Sequence, residues 1–226
     1  MNSGCNIKKF ILEKTIRSIK EMPRDVYALY FFINTNAGGT CVPTLSVLYN
    51  TLSELGESGV GAVETCWNIA CWNTKEFPII GNNAKDTEES ERTIKMLSEW
   101  FTVNGYNGSE MTKDPLDDYF EYTVGYRVLS EIIEEIAPEV KKTTKNYFER
   151  DIVLLMGEYS YTPTDVKRIT TINGTEADPF MEYYEEMLEE AEPYNLKSVC
   201  ANDSGEEDYD KIFSEFLEKV MKDFNR

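Results

Sequence analysis

Apolar residues recur at helical spacing in some stretches of the chain and crowd together in others, and this pattern predicts the elements. From Ile7 to Glu21, the residues Ile7, Phe10, Ile11, Leu12, Ile16 and Ile19 cover more than one stripe of a helix. Burial on two sides is expected there, and Pro23 ends the helix. Asp25 to Ile33 (DVYALYFFI) is dense in aromatic and β-branched residues and reads as a buried strand. Asn34 to Gly39 (NTNAGG) reads as a turn, and Thr40 to Val42 as a returning strand that Pro43 limits to an edge or ends. Leu45, Leu48, Leu52 and Leu55 then fall at helical spacing and predict a helix closed by Gly56. Gly56 to Gly61 (GESGVG) is a flexible joint whose glycines lack the dinucleotide-binding order. Glu64 to Trp72 reads as a third strand carrying two tryptophans, and Phe77 to Ile80 is a short apolar run ended by Gly81.

The second half alternates in the same way. Asp86 to Phe101 predicts a helix opened by a capping box of Asp86 and Glu89, with Ile94, Leu97, Trp100 and Phe101 facing inward. Asn104 to Asp118 is rich in Gly, Asn and Asp and reads as an exposed loop. Tyr126, Leu129, Ile132, Ile133 and Ile136 predict an amphipathic helix that Pro138 interrupts, or after which it opens a turn. Asp151 to Tyr159 (DIVLLMGEY) reads as a core strand, Asp165 to Thr171 as extended, and Asn173-Gly174 as a turn. Asp178-Pro179 reads as an N-cap with proline at the first helical position, and Phe180, Tyr184, Met187 and Leu188 as that helix's inner face. Pro193 to Gly205 reads as a loop. A last helix is marked by Tyr209, Ile212, Phe213, Phe216, Leu217, Val220, Met221 and Phe224.

Strands are few and interleaved with helices, and no repeat is evident. The expected fold is α+β, a single domain over residues 1–226 with a small central, mostly antiparallel sheet flanked by helices. Residues 104–118 form an exposed insertion and the best place for a boundary, and residues 207–225 a C-terminal helix. Asp151–Tyr159 is expected to join the earlier strands, which keeps the chain one domain.

Composition narrows the function classes. The chain has 226 residues, 23 Lys and Arg against 41 Asp and Glu, and a formal charge of −18. Phosphate affinity rests on positive charge, so nucleic-acid binding is not expected. Hydrophobic content of 41% with 12% aromatic residues is too rich for a disordered chain. The longest mostly apolar run, Val26 to Ile33, is too short to span a bilayer, and Lys8, Lys9, Glu13 and Lys14 interrupt the first apolar residues. Neither a membrane segment nor a secretory segment is expected, and the expected location is the cytoplasm. With no histidine in the chain, Ser-His-Asp and Cys-His catalysis are excluded, as are His-bearing zinc sites. Any acid or base would be a perturbed carboxylate, Lys, Tyr or Cys. The cysteines Cys5, Cys41, Cys66, Cys71 and Cys200 form no C-x-x-C pair and read as reduced thiols.

The candidate chemistry follows from these exclusions. Trp67 and Trp72, five apart, would point to opposite faces of a strand, leaving one as an interface anchor; the plainer reading packs both internally. Acidic charge is densest from Phe180 to Glu192 and from Asn202 to Asp210. The candidate partner-binding residues are Glu185, Glu186, Glu189, Glu190, Glu206, Glu207 and Asp208, with Trp67 and Trp72. Against this stands a solvated face that aids solubility. Asp203, Glu206, Glu207 and Asp208 lack the order of a calcium loop, so no metal or other cofactor is expected. Tyr27, Tyr30, Tyr126 and Tyr159 include candidates for stacking on a sugar, although tyrosine at such positions is more often core. Carboxylate pairs for hydrolysis cannot be singled out among so many acids.

Three stretches together are similar to an uncharacterised bacterial domain family. They are Val26-Tyr27-Ala28-Leu29-Tyr30 after a helix, the V-x-P-like segment Cys41-Val42-Pro43-Thr44 followed by the pair Trp67 and Trp72, and Val166-Lys167-Arg168-Ile169 through Asn173. The likeness is patchy, omits Asn104 to Lys145 and the final helix, and includes no catalytic motif. Genes resembling this family occur in polymorphic-toxin neighbourhoods, which implies an immunity protein. The expectation is therefore a non-enzymatic acidic protein that neutralises a basic toxin, of open oligomeric state. The alternatives are a carboxylate-dependent hydrolase or transferase, and a regulatory interaction subunit with an apolar patch.

Overall fold

The computed structural model describes residues 6–35, 42–57, 66–72, 75–106, 123–158 and 161–191. Residues 107–118 of the loop read at 104–118, the loop read at 193–205, most of the turn at 34–39, the final helix and Tyr159 lie outside the described residues, as do Cys5, Cys41 and Cys200. The chain divides into two compact units, residues 1–177 and residues 178–226.

The first unit is an α+β layer structure built on one four-stranded sheet of order β3-β2-β1-β4. Its elements are α1 (Ile7–Ile19), β1 (Val26–Asn34), β2 (Thr44–Thr51), α2 (Leu52–Glu57), β3 (Phe77–Ile80), α3 (Thr87–Val103), α4 (Val124–Phe148), β4 (Val153–Gly157) and α5 (Pro163–Asn173). β1 pairs antiparallel with β2 and parallel with β4, while β2 pairs antiparallel with β3. The sheet is mixed, with antiparallel pairing dominant as expected. β1 is central and buried on both faces: Leu29, Phe31 and Ile33 on one, Ala28 and Tyr30 on the other, are all fully buried. α1 packs on α4 and β3, and α4 also on β1 and β4.

Several sequence expectations are corrected here. The strand after the turn begins at Thr44, past Pro43, and occupies the stretch read as a leucine helix; only Leu52–Glu57 is helical. Thr44, Val47, Tyr49 and Thr51 are β-formers, and the neighbours β1 and β3 supply partners that the leucine spacing could not foresee. Thr51 then caps α2 through its hydroxyl, 3.2 Å from the Glu54 amide, and Asp25 accepts from the Ser53 amide at 3.1 Å. Within Glu64–Trp72, the described residues form a short helical stretch with a 3-10 turn at Ile69–Cys71, not a strand.

α4 runs straight through Pro138. A proline inside a helix costs about 3 kcal/mol. Pro138 lies on the exposed side, where the carbonyl it leaves unbonded can be hydrated, and twelve buried residues of α4 offset the cost. Asp165–Thr171 is helical, not extended. Its start is a complete capping box: the Thr162 hydroxyl accepts from the Asp165 amide, the Asp165 carboxyl accepts from the Thr162 amide, and Pro163 opens the first turn. In α3 only half the expected box forms. Asp86 accepts from the Glu89 amide at 2.9 Å, while the Glu89 carboxyl turns away to Lys14, also at 2.9 Å.

Both sheet edges are closed by side chains. At β3, Pro78 has no amide to offer and the Lys14 ammonium donates to the Ile79 carbonyl at 3.4 Å. At β4, the Asn173 side chain accepts from the Leu154 amide at 2.9 Å and donates to the Leu154 carbonyl at 2.8 Å, reproducing the pairing of a neighbouring strand. Gly125 is required by close approach, because a Cβ there would sit 2.7 Å from Pro43 Cγ.

In the second unit the described element is α6 (Asp178–Ala191). It begins at Asp178 directly from a 3-10 turn over Gly174–Ala177. Phe180, Tyr183 and Tyr184 are buried, with Phe180 stacked on Tyr184; Met187 is half-buried, and Leu188, expected inward, is 46% exposed.

Candidate functional site

Acidic residues set the two units apart. Residues 1–177 hold 26 acidic and 18 basic side chains, a net −8, while residues 178–226 hold 15 and 5, a net −10. More than half of the excess charge therefore falls in the last 49 residues. In the first unit the carboxylates are widely paired. Lys8 pairs with Glu135, Lys14 with Glu89, Lys141 with Glu176 and Arg168 with Glu134, joining elements distant in sequence, and Lys145 pairs with nearby Asp151. All ion pairs found among the described residues lie in this unit.

α6 has no basic residue along its length. At about 100° per residue, Asp178, Glu182, Glu185 and Glu186 fall within an arc of roughly 100° on the helix. All four are exposed, while Phe180, Tyr183 and Tyr184 take the opposite side. Asp178 in the first turn suits the positive end of the helix dipole; the glutamates toward the C-terminal end oppose it. Of the residues expected to bind a partner, Glu185 and Glu186 are thus placed together on an exposed face. Glu189 and Glu190 belong to the same helix, but their side chains lie outside the described residues, and so do Glu206, Glu207 and Asp208.

Trp67 and Trp72 are not on a strand and do not point to opposite faces. Both pack on the side of the sheet that carries Tyr30. A register shift in β1 between Val26 and Ala28 brings Tyr27 to the same side as Tyr30, which a regular strand would separate. The Trp67 ring meets Tyr27 edge-on at 5.7 Å and the Trp72 ring meets Tyr30 edge-on at 6.0 Å. The polar ends of this cluster are turned inward. The Tyr27 hydroxyl donates to the Cys66 carbonyl at 2.7 Å and accepts from the Asn50 amide at 2.9 Å. Trp72 Nε1 donates to the same carbonyl at 3.2 Å, Tyr161 to the Trp67 carbonyl at 2.7 Å, and Tyr30 to the Glu158 carbonyl at 2.7 Å. Burial pushes the Tyr27 phenol well above its ordinary range and raises the Cys66 thiol. Trp67 is 7% exposed, which leaves little of it for a partner, and Trp72 is half-buried. Spacing by five residues could not show this, because it presumed a strand.

Of the carboxyls in the first unit, Asp165 is buried, and desolvation raises its pKa. Its oxygens are occupied by Tyr126, 2.9 Å away, and by the Thr162 amide and hydroxyl at 3.0 and 2.7 Å, so it serves as a helix cap and inter-helix tie. Glu89 and Asp25 are held below their ordinary values, Glu89 first by Lys14 and Asp25 first by the Ser53 hydroxyl. Cys71 is an exposed free thiol. Among the described residues no group of three or more His, Cys, Asp or Glu side chains is placed to hold a metal ion. Among them also, no helix is long and apolar enough to cross a membrane. No family model, curated protein or solved structure matches this chain.

Proposed function

We propose that the chain is a non-enzymatic binding protein in which residues 178–226 recognise a basic protein partner, and that it acts as an immunity protein against a basic toxin domain. The observation that carries this reading is the contrast between the units: ion pairs tie down carboxylates in residues 1–177, whereas α6 presents Glu182, Glu185 and Glu186 without a basic residue on its own length. Solubility needs far less than a net −10 in so short a segment. A field of one sign steers an oppositely charged partner and raises its association rate, and carboxylates seated in a cationic site occlude the place of a phosphate. The reading carries with it a cytoplasmic location, to which the free thiol of Cys71 is suited.

The test has two arms. The wild-type chain is used as bait at low salt, beside a variant with Glu182, Glu185 and Glu186 changed to Gln and a control with Glu131 and Glu139 changed to Gln. The recovered basic protein is then expressed alone and together with each bait, and growth is followed. The reading predicts a basic protein that the control captures and the α6 variant captures at least tenfold less. Release by raised salt and rescue of growth by the wild-type chain are also expected. Capture that is equal for all three baits, or a partner whose expression leaves growth unchanged, would overturn the recognition and the immunity readings respectively.

A further inference from the structure

Asp165 is fully buried, yet among the described residues no basic side chain bonds to its carboxyl. Its partners come from two directions. Tyr126, in the first turn of α4, donates its phenol to Oδ1, and Thr162, the cap of α5, donates its amide and hydroxyl to Oδ2. Among the described residues, the charged and titratable groups that face it are Tyr126 from α4 and Arg168 from its own helix. The Arg168 guanidinium is committed to Glu134 of α4 at 3.1 Å. Tyr126 is itself buried, so the phenol–carboxyl contact lies out of water between the starts of α4 and α5.

We propose that Asp165 is a proton-linked latch between α4 and α5, with the protonated carboxyl holding the junction more firmly than the ionised one. A protonated carboxyl keeps both the Tyr126 phenol and the Thr162 amide as donors. It gives its own proton to the Thr162 hydroxyl, which can accept as well as donate. An ionised carboxyl keeps the same contacts but places a charge in a site without a directly bonded cation. Desolvation outweighs the stabilising donors and raises this group above its ordinary 3.8. With the folded-state pKa above the unfolded one, the latch is fully engaged below the ordinary carboxyl value and loosens as pH rises through the folded value. The junction it governs adjoins Pro43, because Gly125, beside Tyr126, is packed against that ring.

The test uses the full chain. Carbon-13 NMR of the side-chain carboxyls follows Asp165 through a pH series. Urea unfolding of the wild type and of Asp165→Asn is measured over the same series, with hydrogen exchange of the α5 first-turn amides in the wild type. The expected midpoint for Asp165 lies above 3.8. The stability advantage of the wild type over Asp165→Asn should be largest at the acid end, shrink as pH rises toward that midpoint and level off beyond it. First-turn amide protection, corrected for the intrinsic rise of exchange with pH, should fall in step. A midpoint at or below 3.8, or an advantage that is flat or grows with pH, overturns the latch. If Asp165→Asn does not fold, the wild-type titration and exchange decide alone: protection that ignores the Asp165 midpoint overturns it.

Discussion

Replacing Asn173 with Ala removes the group that closes the β4 edge. The Asn173 side chain makes three short contacts: the Leu154 amide donates to Oδ1 at 2.9 Å, and Nδ2 donates to the Leu154 carbonyl at 2.8 Å and to the Ile169 carbonyl at 2.7 Å. Lys141 adds a longer contact at 3.3 Å. Asn173 and Leu154 are both buried, so water cannot readily take the place of the lost amide. Two backbone groups of Leu154 are orphaned, each at a cost of about 1–3 kcal/mol. The Ile169 carbonyl lies within α5 and loses only a second partner, and the cavity left is small. The expected loss is therefore about 4 kcal/mol, a large part of the roughly 5–15 kcal/mol that holds a domain together. For a unit of this size that is a fall in Tm of roughly 10 °C. Urea unfolding gives the free energy, and native-state exchange of the Leu154 amide gives the local consequence. Asn173→Asp sharpens the test: it keeps the acceptor for the Leu154 amide but sets a carboxylate against two carbonyls, so its loss should be relieved on acidification. A loss under about 1 kcal/mol with the Leu154 amide still protected would refute the idea that these bonds close the edge, since it falls below the cost of one orphaned buried group.

Two further substitutions probe backbone and packing. Gly125→Ala drives a methyl to within 2.7 Å of Pro43 Cγ and 2.9 Å of Cδ, both in a rigid ring. The expected cost is about 1–3 kcal/mol in chemical denaturation, and a neutral result would mean that the start of α4 can shift away from Pro43. Glu149 ends α4 in the left-handed conformation with φ 60° and ψ 26° and is exposed. Glu149→Gly should therefore raise stability by about 0.5–1 kcal/mol, seen as an unfolding midpoint moved to higher urea with an unchanged slope.

The sequence was most legible where one local signal decided the outcome. DVYALYFFI could satisfy so many apolar and β-branched residues only as a buried strand, and Ile7, Ile11 and Ile19 mark a helix stripe that the fold buries. The start of α5 was legible too, through Thr162, Pro163 and Asp165, but the β-branched Val166, Ile169, Thr170 and Thr171 obscured it. In the helix Thr170 and Thr171 return their hydroxyls to the Val166 and Lys167 carbonyls, which accommodates them at little cost. The acidic face of α6 follows directly from spacing, because the glutamates and the aromatic residues alternate with the helical period. The roles of Trp67 and Trp72 did not follow, because their partners Tyr27 and Tyr30 lie far away in the chain and share a face only through an irregularity in β1.

By itself the sequence determined the alternation of strands and helices, the exclusion of histidine chemistry and the excess of carboxylate. These rest on residue identity and on contacts within a few positions along the chain. Only the tertiary structure decided that Thr44–Thr51 is a strand, that Glu89 leaves its own helix cap for Lys14, and that Asn173 closes a sheet edge. Each of these depends on a partner supplied from elsewhere in the chain. Hydrogen bonds and burial made at long range outweigh a local preference of a few tenths of a kilocalorie per mole per residue, and no reading of neighbours can supply them.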